Sequence, residues 1–312
     1  MTTATTHLAL VGPTASGKSA LALAVAEHFD DVELVSVDSM QVYRELDIGT
    51  AKPSRAERAA VQHHVIDLVE PTEDWSVVRH QAAARAAIAD IESRGKRALL
   101  VGGTGLYVQA VIDDLRFPGE DRGVRAEIAA RAAQPGGLAA AYDELARLDP
   151  SAAAHIDPNN ERRIVRALEV IHITGKPFSS FGAGVGECGA TMFPVRLAGV
   201  WLPRTVLARR IAARIRAMRD IGLVEEVEAL VRRHGARVSR TARQAIGYSE
   251  IISVLEGQIS SVDDAFERAL RRTATFARRQ RMWFRRDPRI EWFGTSENPA
   301  AILPALLQSW SR

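Results

Sequence analysis

The chain opens on a short unbroken apolar run, Leu8-Ala9-Leu10-Val11, then a polar turn, then a stretch from Ala20 to Phe29 with apolar residues at helical spacing. A brief apolar run bounded by turn residues reads as a strand buried on both faces, and the stretch from Ala20 reads as a helix. Glu33-Leu34-Val35-Ser36-Val37-Asp38 predicts a second strand, closing on a carboxylate. Asp47 to Pro53 is too broken by Gly and Pro to be regular and reads as a loop. From Ser76, the residues Val77, Val78, Ala82, Ala86, Ile88 and Ile91 predict a helix that ends near Gly95. Arg97 to Val101, running into Gly102-Gly103, predicts a third strand, and Arg196 to Leu202 a return to the sheet. Strands alternating with helices predict an α/β fold with a parallel sheet.

The pattern changes between about Phe117 and Phe193. Alanine- and arginine-rich helices, Val124 to Ala133, Leu138 to Leu148 and Glu161 to Thr174, are separated by Pro/Gly and Pro/Asn turns, and no strong strand intervenes. The expected organisation is a catalytic core over 1–116 and 194–312 with a helical insertion domain over 117–193. Phe181 to Gly189 is glycine-rich and reads as a flexible loop or hinge. Beyond the return strand come helices. Thr205 to Arg219 places Arg210 and Arg214 on one face and Ile211, Ile215 and Met218 on another; Val262 to Arg285 carries Arg272 and Arg279, with Arg286 one heptad further on, as an expected stripe. Trp283, Phe284 and Trp292 are expected to pack against the core. No internal repeat recurs at a fixed period.

Length and composition narrow the class. The 312 residues are 46% hydrophobic and 25% charged, enough for a full core, and no stretch approaches a membrane span. The first residues lack a basic segment and an apolar signal core, so a cytoplasmic location is expected. A single cysteine, Cys188, excludes a disulfide framework and a Cys-based zinc site. The net charge of +3 hides an asymmetry: Arg196 to Ile290 holds 21 Arg against 10 acids, about +11, leaving about −8 elsewhere. Only four of the 41 basic residues are lysine, and arginine is the side chain that both forks onto phosphate and stacks on bases.

The candidate chemistry centres on Gly12-Pro13-Thr14-Ala15-Ser16-Gly17-Lys18-Ser19, which reads G-x-x-x-x-G-K-S between a strand and a helix. Such a P-loop turns its backbone N–H groups onto phosphate oxygens, sends Lys18 to the outer phosphate and offers the Ser19 hydroxyl to Mg²⁺. Asp38 opens the loop Ser39-Met40-Gln41 on the same sheet edge. It could hold Mg²⁺ through water, accept a proton from a nucleophile, or cap a helix. The strand before Gly102-Gly103 ends without the acid a nucleotidase usually places there, and Thr104 can donate a hydroxyl into the space left beside the loop. Adjacent His63 and His64 point to opposite strand faces, which favours structural hydrogen bonds over a shared metal.

These motifs together resemble the tRNA dimethylallyltransferases, also called tRNA isopentenyltransferases. The resemblance runs over nearly the whole chain: GPTASGKS at 12–19, SVDSMQVYR at 36–44, DIGTAKP at 47–53, HHVIDL at 63–68 and VGGTGLY at 101–107, then RIVRALEV at 163–170, GLVEEV at 222–227, QAIGY at 244–248 and RRQRMWFR at 278–285.

The resemblance implies transfer of a dimethylallyl group from dimethylallyl diphosphate to N6 of the adenine just 3′ of the anticodon, position 37, in tRNAs reading codons that begin with U. It makes the phosphate loop a cradle for a diphosphate leaving group, aided by Mg²⁺ on Ser19 and by Arg214, with Arg210 a further candidate. It makes Asp38 the general base, with Ser39, Met40 and Gln41 holding the adenine and Thr104 in the reaction channel. It also implies RNA contacts by Arg162, Arg163 and Arg166, by Arg243, Gln244, Gly247 and Tyr248, and by Arg278, Arg279 and Gln280. The partners are then the tRNA anticodon stem-loop and the prenyl diphosphate, with no membrane, and a monomer is expected. Two departures stand out: Asn159-Asn160 and Arg162-Arg163 replace the more usual Asn-Asp and Gln-Arg, and Arg278-Arg279-Gln280 replaces Lys-Arg-Gln. The alternatives are a P-loop small-molecule kinase, disfavoured by the basic C-terminal half, and a nucleic-acid-dependent ATPase, disfavoured by Gly102-Gly103.

Overall fold

A computed structural model describes residues 5–181 and 188–311. Its core contains six strands: β1 (His7–Val11), β2 (Val32–Val37), β3 (His63–His64), β4 (Arg97–Gly102), β5 (Val195–Trp201) and β6 (Ile290–Gly294). All pair in parallel, in the order β3-β2-β4-β1-β5-β6. The fold is therefore α/β, as the alternating pattern predicts. β1 and β2 are buried along their whole length, which is why they read as apolar runs. Ala9, Val11, Val35, Val37 and Leu100 face one layer of the core, and Leu8, Leu10, Leu34 and Leu99 face the other. Each fully buried valine or leucine among them contributes roughly 1.5–3 kcal/mol.

The connections are α1 (Lys18–His28) after β1, α2 (Arg55–Ala60) after the irregular stretch beyond β2, and α3 (Val77–Ser93) and α4 (Gly105–Ile112) on either side of β4. Residues 39–54 form turns rather than a helix, so Asp38 caps no helix. His63 and His64 bond different partners: His63 Nδ1 lies 2.7 Å from the Val61 carbonyl and His64 Nε2 2.8 Å from Glu33.

Contacts divide the chain into two compact units, one running to Asp113 and resuming at Thr191, the other Asp114–Ala190. The second holds α5 (Arg122–Ala132), α6 (Gly137–Leu148), α7 (Pro150–His155) and α8 (Glu161–Thr174) around its own core of Ile128, Leu145, Ile164 and Leu168. Asp149 caps α7, a short helix that periodicity does not reveal. Within this unit the fully buried Glu169 accepts from Arg125 Nε and the Asp121 N–H and pairs with Arg166. Arg166 also donates to the Pro118 and Gly119 carbonyls. Of the three arginines expected to contact RNA, Arg166 is therefore corrected to an inward role, its guanidinium held by a buried carboxylate, whereas Arg162 and Arg163 are exposed. The hinge read at Phe181 to Gly189 falls, over 182–187, outside the described residues.

After β5 come α9 (Arg204–Asp220), α10 (Leu223–His234), α11 (Arg240–Arg243), α12 (Tyr248–Leu255) and α13 (Val262–Phe284), and after β6 α14 (Leu303–Trp310). Ile211, Ile215 and Met218 are the buried face of α9, as their spacing predicts. Among the described residues, no helix is long and apolar enough to cross a membrane.

Candidate active site

Strand register brings the chemistry to one edge. Val11 of β1 and Val37 of β2 both pair with Gly102 of β4, so the three chains leave the sheet side by side. The phosphate loop, Asp38 and Gly103-Thr104 are therefore neighbours, at the carboxyl end of a parallel sheet, where such folds bind ligands. In the loop, Ala15 (φ 62°) and Gly17 (φ 92°) take left-handed backbone, the conformation that gathers N–H groups into an anion-binding concavity. The first turn of α1 carries no acidic side chain, and none caps it, so its N-terminal dipole faces the same place. From outside, Arg210 Nε donates to the Ala15 carbonyl at 2.8 Å, so Arg210 braces the loop.

A cavity of about 380 Å³ opens over this edge. Lys18, Ser19, Asp38, Thr104 and Arg214 all line it, as do Ser39, Met40 and Gln41. Lys18 donates to the Pro13 carbonyl at 3.3 Å. Burial, then the neighbouring Arg214, lower its pKa to about 8, while Asp38 pulls it back up. Burial lowers the Arg214 pKa too, again opposed by Asp38. Two cations thus share one carboxylate, an arrangement with positive charge to spare for an anionic ligand. Asp38 Oδ1 accepts the Met40 N–H at 2.8 Å, which fixes the carboxylate at the loop's entrance. Gln41 is held by Ser36, whose hydroxyl donates to its Oε1 at 2.8 Å, and by the Thr50 and Ala51 carbonyls. The Thr104 side chain makes no capping bond to α4, although it stands at that helix's N-cap. Ile215, Met218, Leu223 and Phe266 give the cavity an apolar stretch.

A family profile described as IPP transferase matches residues 41–287. This chain belongs to the IPP transferase family. A tRNA dimethylallyltransferase of Bifidobacterium animalis subsp. lactis is 46% identical over 299 residues, covering 95% of this chain and 84% of the relative. That of Thermobifida fusca is 47% identical over 291 residues, covering 92% and 89%. Among solved structures, the full-length tRNA isopentenylpyrophosphate transferase of Bacillus halodurans matches with a TM-score of 0.71 at 36% identity, covering 98% of this chain and 95% of that one. A eukaryotic dimethylallyltransferase captured acting on tRNA matches with a TM-score of 0.80 at 26% identity, covering 97% and 77%.

In this IPP transferase the residues read as RNA contacts separate into two groups. Arg278 and Arg279 are exposed on α13, and Arg279, Gln244 and Gly247 line the cavity. Arg243 is paired with Glu256. Tyr248 and Gln280 are buried, and of the two only Gln280 borders the cavity. Tyr248 is fully buried; its hydroxyl donates to Glu226 and accepts the Gly49 N–H, and its ring packs so closely on Gly49 that a side chain there would meet it at 2.3 Å. Glu226 also accepts the Ile48 N–H, so this pair anchors the DIGT turn. Gln280 is 5% exposed and faces the phosphate loop. The expected stripe of Arg272, Arg279 and Arg286 is corrected as well: Arg272 is paired with Glu250, and Arg286 lies beyond the end of α13. The signal for Gln280 is its phase, since Thr273, Ala277, Gln280 and Phe284 are the buried face of α13.

Proposed function

We propose that this protein transfers the dimethylallyl group of dimethylallyl diphosphate to N6 of adenine 37, 3′ of the anticodon, in tRNAs reading codons that begin with U. What carries the reading is the juxtaposition of a phosphate loop, a cation pair and one carboxylate around a partly apolar cavity, in a chain of the IPP transferase family. The adenine N6 attacks C1 of the prenyl group, the N–C bond forms as the C–O bond breaks, and the diphosphate departs with the electron pair. Asp38 accepts the N6 proton, which matters because an aromatic amine is a weak nucleophile. Lys18, Arg214 and the loop N–H groups stabilise the charge that develops on the leaving group. Thr104 lines the lane between them, and the apolar stretch by Met218 and Leu223 suits an isoprenyl chain.

The donor set fits Mg²⁺. Mg²⁺ is commonly held by one or two protein oxygens plus substrate phosphates, and the Ser19 side chain lines the cavity at the phosphate loop. Ser19 would supply that oxygen, and the ion would neutralise leaving-group charge. The target base must leave its stack, which costs least in an unpaired loop. Exposed Arg162, Arg163, Arg278 and Arg279 are the proposed backbone contacts, with Gln244 and Gly247 at the cavity. The proposed working unit is a monomer, in the cytoplasm, where its tRNA substrate would be met.

The test incubates the purified protein with unmodified tRNA, Mg²⁺ and either dimethylallyl diphosphate or ATP, then weighs the digested nucleosides. A prenyl mass gained on adenosine only with the diphosphate is expected. No gain, together with tRNA-stimulated ATP hydrolysis, would make the loop a nucleotidase site.

A further inference from the structure

Gln280 sits on the buried face of α13 among arginines, with 5% of its surface exposed. A buried amide must find partners for both ends. Its Oε1 accepts the Thr14 N–H at 2.8 Å, and its Nε2 donates to the Gly103 carbonyl at 2.8 Å. Only one orientation of the amide satisfies both, since one partner is a donor and the other an acceptor. The side chain therefore ties the phosphate loop after β1 to the turn after β4, two segments that no backbone ladder joins beyond Gly102. Gly103 is tight against it: a side chain there would meet Gln280 Nε2 at 2.6 Å and come within 3.4 Å of Lys18 Nζ. The next residue is Thr104, in the channel.

We infer that Gln280 is a positioning residue for the diphosphate half of the site: it fixes the phosphate loop in register with the Thr104 turn. This rests on the prenyl-transfer reading for its consequence, and on geometry alone for the clamp. The Thr14 N–H is consumed by the clamp rather than by phosphate, so the residue acts through the loop's shape. Its neighbours Arg278 and Arg279 are exposed, Arg279 also bordering the cavity, so the helix proposed to meet the RNA also holds the phosphate loop.

The test uses the full chain with Gln280→Met, which removes both bonds at similar volume, and Gln280→Glu, which keeps the acceptor for Thr14 but loses the donor to Gly103. Misplacement of reacting groups by about an ångström costs up to a hundredfold. Gln280→Met is expected to raise the KM for dimethylallyl diphosphate and the Kd for inorganic pyrophosphate about tenfold or more, with tRNA Kd unchanged within about twofold. For Gln280→Glu, the ratio of its KM to that of the unsubstituted enzyme should fall as pH is lowered from about 8 to about 5. Protonation there restores an O–H donor to the Gly103 carbonyl and removes a negative charge beside the diphosphate. A role confined to packing would leave that ratio flat. Unchanged pyrophosphate affinity in both variants, or a loss of tRNA affinity with the diphosphate KM preserved, overturns the inference. If the unsubstituted protein fails to prenylate tRNA, the functional reading falls, and pyrophosphate binding alone still decides the clamp.

Discussion

The charge state of Lys18 makes diphosphate binding depend on pH in a way that can be worked out in advance. In the ligand-free site, burial and Arg214 hold the Lys18 pKa at about 8, against an ordinary value of 10.5. A diphosphate on the loop favours the ammonium, so the bound-state pKa lies higher than the free one. Binding is then undiminished below pH 8, and above it each complex must take up a proton, so apparent Kd rises tenfold per pH unit, about 1.4 kcal/mol. Between pH 7 and pH 9 the loss is about tenfold. Dimethylallyl diphosphate is the right probe, because the last ionisation of a phosphate ester lies near 6, outside the window. Calorimetry in buffers of different ionisation enthalpy reads the affinity and the proton uptake together. Two charge-removing substitutions should move the break in opposite directions. Arg214→Met removes a neighbour that lowers the Lys18 pKa and shifts the break upward, while Asp38→Asn removes the neighbour that raises it and shifts the break downward. Affinity that stays flat from pH 7 to pH 9, or both substitutions moving the break the same way, would refute the assignment of Lys18 as the titrating group.

Three other outcomes are expected from the site and the insertion unit. Asp38→Ala should lower prenyl transfer by about 10²–10⁴-fold while leaving tRNA Kd within about threefold, measured by single-turnover transfer and filter binding; weakened binding with normal turnover would remove it as the base. Affinity for tRNA should fall at least tenfold between about 50 and about 200 mM salt, and a flat titration would remove the exposed arginines as the RNA surface. Arg166→Ala withdraws one of the partners of the fully buried Glu169 and should cost the insertion unit about 1–3 kcal/mol in denaturant unfolding, with tRNA affinity changed less than about threefold. Unaltered stability with a large loss of affinity would return Arg166 to the RNA surface.

The catalytic edge is legible in the sequence because its signals are local and mutually consistent. An apolar run, a G-x-x-x-x-G-K-S turn and a following stretch rich in Ala, Leu and Val name a strand, a phosphate loop and a helix without reference to the rest of the chain. The two other strands that deliver Asp38 and Thr104 are largely apolar for the same reason, both sheet faces being covered, although β2 also buries Glu33 and Ser36. The order of strands is not legible. That β4 lies between β1 and β2, and so brings Thr104 between the phosphate loop and Asp38, is a matter of pairing between segments some sixty to ninety residues apart. The edge strand β6 is invisible to pattern because five residues with only Ile290 fully buried carry little of it.

The departures from expectation share one cause: in sequence, a polar side chain near a basic helix reads as facing RNA. Tyr248, Gln280 and Arg166 each belong to a motif rich in arginine or next to one, yet each turns inward to a partner that only the tertiary structure supplies: Glu226, the Thr14 and Gly103 backbone, and Glu169. Helical phase separates two of them. Tyr248 shares a face with the buried Ile251 and Ile252, and Gln280 with Ala277 and Phe284. A polar residue in the apolar phase must be satisfied by something buried, and next to a phosphate loop that something is backbone. The same logic explains why the exposed Arg278 and Arg279 and the buried Gln280 occur in succession. Neighbours on a helix are turned about 100° apart, so three consecutive polar residues cannot all face one ligand. The helix proposed to meet the RNA therefore also bears on the phosphate loop, through the Gln280 amide.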